Sequence, residues 1–429
     1  MLTNQTFQTF SFGCRVNEAE KEEIDRKLLL LGYQKDDINP SIYIVNTCSV
    51  TQKAEREARQ LIFQIRKKYP KTQLVITGCS ATYWKKNNVY KDLPVDHIID
   101  NIQKDYLVQI LQKRLKISNN IHKIHPNPSS KFLDSGRMMI KIQDGCQRFC
   151  TYCIVPYLRG NPQSYKIKDI VKKINKNPQV KEIILAAINT EEFEVNSDEE
   201  FIDLIKTVIL NTHVPRISFG SVHPWSITNE FMDLYKAEMN SKNKRIVDFF
   251  HIPLQSGSDK ILRLMKREYT SSEMFDKLNK LQKINPMALI ATDIIVGFLE
   301  ETDKDFEDTY YFLEKAPINK FHIFRFSKRQ NTAAYFLAKQ LKEPTNSQKK
   351  KRAISLAELG LKKYHSFLEK RIDKNFSGLF INNFESSYQE VLLNNQISAW
   401  IKIDKRLHAE IKNVKITEYK KGKLFGRIV

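Results

Sequence analysis

The 429-residue sequence holds no stretch approaching the roughly 18 consecutive apolar residues that a membrane-spanning helix requires, which argues against a helical membrane protein. Its opening residues, MLTNQTFQTF, have neither a basic segment nor a long apolar one, so export is not expected and a cytoplasmic location is. There is no internal repeat and no low-complexity segment, and glycine is scarce at 13 residues. With 41% hydrophobic residues over this length, the chain exceeds one ordinary core, and two or three domains are expected. Acidic residues are in deficit: 49 Asp and Glu face 70 Lys and Arg, a net charge of +21. Such a surplus favours a polyanionic partner, nucleic acid before membrane, although a composition rich in Lys, Asn and Ile together would also raise it.

Cysteine is limited to six residues, and a cytoplasmic chain does not normally spend them on structural disulfides, so they point to metal or redox chemistry. Cys146, Cys150 and Cys153 are clustered, whereas Cys14, Cys48 and Cys79 are far apart.

Three segments follow one another. The first, residues 1–122, alternates strands at Phe7–Phe12, Ser41–Asn46 and Gln73–Thr77 with amphipathic helices at Asn17–Leu31 and Gln52–Lys68. Alternation of this kind implies a small parallel sheet covered by helices. Cys14, Cys48 and Cys79 each sit just past a strand (SFGC, VNTC, ITGC), at the sheet edge where such folds bind ligands, and so are expected to converge. Gly13 and Gly78 permit the tight turns this needs. Three thiolates are one short of a closed zinc site, leaving a metal or cluster with an open position.

The run His125–Lys131 (HPNPSSK) reads as a linker. Residues 132–365 then repeat strand and helix, with strands expected at Met138–Gln143, Glu182–Ala187, Arg216–Gly220, Val247–His251, Leu289–Val296 and Lys320–Phe326. Six β/α units make a partial or full parallel barrel with its site at the strands' C-terminal ends. A helix over Ser347–Arg371 leads to residues 366–429. There, short strand-like stretches at Asn375–Ile381, Glu390–Leu393, Ile397–Ile403 and His408–Glu418 predict a small β-barrel for binding.

The strongest motif is Asp-Gly-Cys146-Gln-Arg-Phe-Cys150-Thr-Tyr-Cys153, directly after the strand MMIKIQ. A CxxxCxxC loop can bind three irons of a 4Fe-4S cluster and leave the fourth without a protein ligand, free to chelate the amino and carboxylate groups of S-adenosylmethionine (SAM). Reductive cleavage of SAM then yields a 5′-deoxyadenosyl radical, which the protein must hold and shield. A structural zinc site is the alternative, but no histidine lies nearer than His125 and the paired halves of a zinc finger are missing.

Beyond these residues, the blocks GCRVNEAE, NTCSVT, TGC, DGCQRFCTYCIVPYLRG, HIPLQSGSDKILRLMKREYT and TDIIVGF resemble, in order, those of the radical-SAM methylthiotransferase family. The resemblance implies two 4Fe-4S clusters, a SAM-binding one on Cys146, Cys150 and Cys153 and an auxiliary one on Cys14, Cys48 and Cys79. It also implies a C-terminal TRAM-type RNA-binding barrel, transfer of a methylthio group to adenine C2, and SAM as both methyl donor and radical source. GCRVN resembles the branch acting on N6-threonylcarbamoyladenosine at tRNA position 37. The isopentenyladenosine and ribosomal-protein branches, and a non-catalytic metal-stabilised RNA-binding protein, are the alternatives. A monomer that engages the tRNA anticodon loop, takes electrons from a separate donor and has no membrane partner is expected.

The chain departs from the family at AAIN, Ala186–Asn189, where Gly-rich sequence is usual, and at GFLEET, where Leu299 and Glu300 replace Pro and Gly. Four further residues are expected to contact the cofactor. Tyr152 precedes the last cluster cysteine and could stack on adenine or simply pack in the barrel. Asn189 and Gln255 fall near strand ends, where Asn189 could equally cap a turn. Asp293, inside the apolar run ALIATDIIVG, needs a partner. His97, His223, His251 and His322 show no spacing that suggests a metal site. The lysine runs Lys349–Lys351 and Lys420–Lys423 read as solvated faces, the second with phosphate contact favoured.

Overall fold

The computed structural model describes residues 5–115, 135–193 and 199–429. The linker His125–Lys131 lies outside them. The first sheet is formed by β1 (Thr6–Ser11), β2 (Gln34–Lys35), β3 (Ile42–Thr47), β4 (Gln73–Thr77) and β5 (His97–Ile98), all parallel, in the order β2-β1-β3-β4-β5. Every residue of β3, IYIVNT, is buried, as a central parallel strand covered on both faces must be. One face packs against the helices Arg15–Leu30 and Leu107–Arg114 through Phe7, Ile24, Leu28 and Leu107; the other buries Ile62, Ile65 and Trp84. Thr51 caps the helix Gln52–Lys68 by accepting from Ala54 N at 3.1 Å.

The second unit has six parallel strands: β6 (Arg137–Asp144), β8 (Glu182–Ala187), β9 (Arg216–Phe219), β10 (Phe249–His251), β11 (Leu289–Val296) and β12 (Lys320–Arg325). They form two sheets joined between β9 and β10 by a parallel bridge from Ile217 to Ile246, and the short β7 (Gln163–Ser164) pairs antiparallel with β6. The result is an open six-stranded arc with one apolar core running beneath it. Three of its helices start from a threonine, because Thr270, Thr302 and Thr345 each complete a capping box with the residue three positions on.

The third unit is a closed barrel of β13 (Asn375–Glu385), β14 (Tyr388–Leu393), β15 (Ser398–Lys402), β16 (Ile411–Lys420) and β17 (Lys423–Ile428), in the order β13-β14-β15-β17-β16. The chain is thus mixed α/β with parallel sheets and a small C-terminal β-barrel, as expected. The closing strand β17 was not expected. It follows a hairpin turn in which Lys421 (φ 50°) and Gly422 (φ 78°) are both left-handed, the geometry of a two-residue primed turn. So the run Lys420–Lys423 is a turn, with Lys423 tied to Glu385 at 2.5 Å. Lys349 also departs from expectation. It is buried and donates to Phe326 O at 3.2 Å beside Glu343, while Lys350 and Lys351 are exposed.

Candidate active site

β1, β3 and β4 deliver Cys14, Cys48 and Cys79 to one edge of the first sheet. Gly13 and Gly78 adopt φ near +92° and +94°; a Cβ on Gly13 would strike Cys48, and one on Gly78 would strike the Thr47 backbone. Only glycine lets the three turns approach so closely. Ser80 Oγ donates to Cys48 O at 2.5 Å, and Asn17 Nδ2 donates to Phe12 O at 2.7 Å and Thr47 O at 3.1 Å, which fixes the turns to one another.

Cys146, Cys150 and Cys153 lie in the loop between β6 and the helix Val155–Arg159. The loop is pinned by Cys146 N to Gly160 O (3.1 Å), by Thr151 Oγ1 to Leu264 O (2.8 Å), and by Ala334 N to Thr151 O (2.7 Å). Phe149 sits inside it at φ 46°, a left-handed conformation that tertiary contacts must hold in place. Two of the sulfurs have nitrogens nearby: Arg148 N is 3.5 Å and Asn189 Nδ2 3.9 Å from Cys146 Sγ, and Arg267 Nη1 is 3.6 Å from Cys150 Sγ. The two triads meet, because Cys79 packs on Ile154 and Leu158 just past Cys153.

All six cysteines are free thiols. Burial, reinforced by neighbouring thiols, pushes Cys48 and Cys153 up to about 12 and raises Cys146 as well, so thiolates form there only against a strong cation. Among the described residues, only His251, Asp293 and His322 bring three ligand atoms within 4.8 Å of one another. The thiol triads are more open than this, whereas zinc, with sulfurs at about 2.3 Å, would hold them roughly 3.8 Å apart. Three free thiols at this wider spacing suit a multi-iron cluster, whose sulfur ligands sit on different irons.

A buried charge network lies between the two units. Arg159 donates to Glu20 (3.0 Å), Asp144 (2.6 Å) and Asn17 (2.6 Å), while Lys104 reaches Glu20 at 2.6 Å. Burial alone would raise the Glu20 carboxyl, but Arg159, Lys104 and Lys141 hold it well below the usual carboxylate range. Sequence reasoning missed this network, since its members come from four separate elements.

A cavity of about 140 Å³ opens beside the second triad, lined by Thr51, Tyr152, Gln255, Asp293, Phe324 and Arg325. It runs into a wider cleft of about 1000 Å³ that carries Lys53, Arg56, Arg325, Lys328 and Lys349. Tyr152, Gln255 and Asp293 are therefore brought together. Gln255 is held at φ 76° by a backbone bond to Asp293 O (2.8 Å). Asn189 stands apart from this cavity. It caps the turn Thr190–Glu192 by accepting from Glu191 N, and lies by Cys146. Asp293 has its partners, His251 Nε2 at 3.0 Å and His322 Nδ1 at 3.3 Å; burial would raise its carboxyl, but the two imidazoles hold it below its ordinary range. Ser221 Oγ lies 2.8 Å from His251 Nδ1. So His251 and His322, featureless in sequence, share one carboxylate, while His223 bonds Thr190 as a satisfied interior residue.

Known families and proteins resemble this chain. The Radical SAM superfamily matches residues 140–313, and the Uncharacterized protein family UPF0004 matches residues 6–100. The threonylcarbamoyladenosine tRNA methylthiotransferase MtaB of Aquifex aeolicus is 32% identical, covering 86% of this chain and 92% of that protein. The tRNA-2-methylthio-N(6)-dimethylallyladenosine synthase of Natranaerobius thermophilus is 30% identical, covering 98% and 96%. Among solved structures, the radical S-adenosylmethionine methyltransferase TsrM of Kitasatospora setae aligns with a TM-score of 0.52 over 75% of this chain and 73% of that one. At 10% identity that likeness speaks to fold alone.

Proposed function

The chain belongs to the radical SAM tRNA methylthiotransferase family, and from that membership we propose that it methylthiolates C2 of N6-threonylcarbamoyladenosine at position 37 of tRNA. It is an enzyme whose cofactors are two 4Fe-4S clusters and SAM. Cys146, Cys150 and Cys153 hold the SAM-binding cluster, and Cys14, Cys48 and Cys79 hold the auxiliary one. When bound, these groups supply the electron that cleaves SAM and the sulfur that is transferred. The observation that carries the reading is the contact of Cys79 with Ile154 and Leu158, which faces the two triads across one interface.

The chain's own residues prepare the site. Asn189 and the Arg148 backbone direct N–H groups at Cys146. Tyr152 and Gln255 line the cavity beside the second triad, and the Arg159–Glu20–Lys104 network ties the two units together at their joint. The basic cleft and the C-terminal barrel, a TRAM-type module, receive the phosphates of the anticodon loop. The protein works as a cytoplasmic monomer with a separate electron donor. No helix among the described residues is long and apolar enough to cross a membrane.

The test is mass spectrometry of tRNA nucleosides from a strain lacking the gene, against its parent. Loss of the 2-methylthio form of threonylcarbamoyladenosine, with its unthiolated precursor accumulating, is expected. Loss of the methylthio group from the isopentenyl nucleoside instead would move the chain to the other branch, and no change in either would overturn both.

A further inference from the structure

Three arginines lie beside the thiols, and their surroundings differ. Arg159, beside the first triad, is paired with Glu20 and Asp144, carboxylates that Lys104 and Lys141 also reach. Arg148, in the second triad's loop, is neutralised by Glu191 and Glu268. Arg267 is buried, and among the described residues no carboxylate lies within ion-pair distance of it. Its Nη2 donates to Pro253 O at 2.7 Å and its Nε to Tyr269 Oη at 2.9 Å. Its Cζ lies over the Trp225 ring, 4.4 Å from the ring centroid. Those partners satisfy hydrogen bonds but carry no negative charge. The remaining partner, Cys150 Sγ at 3.6 Å from Nη1, is the only one that becomes anionic when it ligates iron.

A buried cation without a carboxylate is stabilised by whatever negative charge it faces, and in this low-dielectric setting the effect is strong. Adding an electron to a thiolate-ligated cluster makes it more negative. A guanidinium N–H on a ligating sulfur therefore favours the reduced state, since hydrogen bonds to sulfur and net charge set cluster potentials. Arg159 also faces the other triad, but its N–H groups are taken by Glu20, Asp144 and Asn17, whereas Arg267 directs one at a ligating sulfur.

We propose that Arg267 raises the reduction potential of the cluster on Cys146, Cys150 and Cys153 above that of the auxiliary cluster, so that an incoming electron settles beside SAM. Arg267 is a positioning residue for the electron. It rests on the reading that both triads carry clusters.

The experiment is EPR-monitored potentiometry of the anaerobically purified holoenzyme, with iron and sulfide content measured in parallel. In the wild-type protein, the first signal to appear on reduction is expected to change when SAM is added. A first signal indifferent to SAM would overturn the assignment without any variant. Arg267→Gln and Arg267→Lys are then compared in a full-length Cys14→Ala, Cys48→Ala, Cys79→Ala background, where the SAM-side cluster is read alone. Arg267→Gln should move the potential to a lower value with cluster content retained, while Arg267→Lys keeps most of it. Equal potentials in wild type and Arg267→Gln would refute the role of Arg267. Absence of iron and sulfide from the wild-type protein would instead refute the cluster reading beneath it.

Discussion

Asn101 and Leu158 are joined by a hydrogen bond of 3.1 Å, from the Asn101 side-chain amide to the Leu158 carbonyl, across the joint between the first sheet and the loop bearing the second thiol triad. The same Nδ2 lies 3.6 Å from Cys79 Sγ. One amide thus touches an auxiliary thiol and ties it to the SAM-side loop. Asn101→Ala removes a partly buried hydrogen bond worth about 1 kcal/mol and frees the carbonyl beneath it. The expected outcome is a lower melting temperature with iron lost chiefly from the Cys14, Cys48 and Cys79 site. Unchanged stability and iron content would show that the two units do not depend on this tie.

His223 contributes to the acid sensitivity of the second unit. Burial, then the charges of Arg267 and His251, depress its imidazole to about 3. A depressed base binds fewer protons folded than unfolded, so its contribution is complete above the unfolded value of roughly 6.5 and is lost as pH falls toward 3. Stability should fall by at most about 1.4 kcal/mol per pH unit from this residue below pH ~6.5. Urea unfolding at pH 7.5 and 5.5 measures it, and His223→Asn should flatten the difference.

The departure GFLEET is a backbone question. Glu300 occupies φ 58°, where glycine is the default residue, and its carboxylate accepts from Lys342 N at 2.5 Å. Glu300→Ala loses that bond and keeps the strained backbone, whereas Glu300→Gly loses the same bond and relieves the strain. The glycine variant should therefore be the more stable of the two by about 1 kcal/mol in thermal or urea unfolding. An alanine variant as stable as the glycine one would mean that the left-handed turn costs nothing here.

How much of this was legible follows from how local each signal is. β8 and β11 appear in the sequence with their observed limits, because a buried parallel strand is a run of apolar residues that needs no partner to be recognised. Cys14, Cys48 and Cys79 stood out because each comes just past such a run, and Cys146, Cys150 and Cys153 because of their CxxxCxxC spacing. The histidine pair was not. His322 meets Asp293 through the register of β11 with β12, and His251 arrives from β10, so the cluster exists only once three strands are aligned. β17 was hidden by its charges, since KKGKLFGR reads as a polar tail until a barrel needs its last strand. Arg267 lies within a block quoted for the family resemblance, yet its lack of a carboxylate is a fact of packing that spacing cannot express.

Substrate choice is the last point the cavity addresses. A threonylcarbamoyl group carries a carboxylate and an isopentenyl group carries none. The cavity's acidic residue, Asp293, is already taken by two imidazoles. Arg325 lines both the cavity and the basic cleft, is exposed, and has no ion pair among the described residues. A carboxylate entering beside Tyr152 would find this guanidinium before any other free cation of the cavity wall. A charge-assisted hydrogen bond at a half-open site contributes about 1.4 kcal/mol, a factor of ten in binding. Arg325→Leu should accordingly raise KM for an anticodon stem-loop bearing threonylcarbamoyladenosine about tenfold. Because the carboxylate is remote from C2, binding is lost equally from ground and transition states, and kcat should hold. Arg325→Lys should recover part of the loss, and high salt should shrink the gap between wild type and Arg325→Leu. If KM is unmoved while kcat falls, Arg325 acts on the geometry of the reacting carbon, and recognition of the carboxylate belongs to another residue of the cleft.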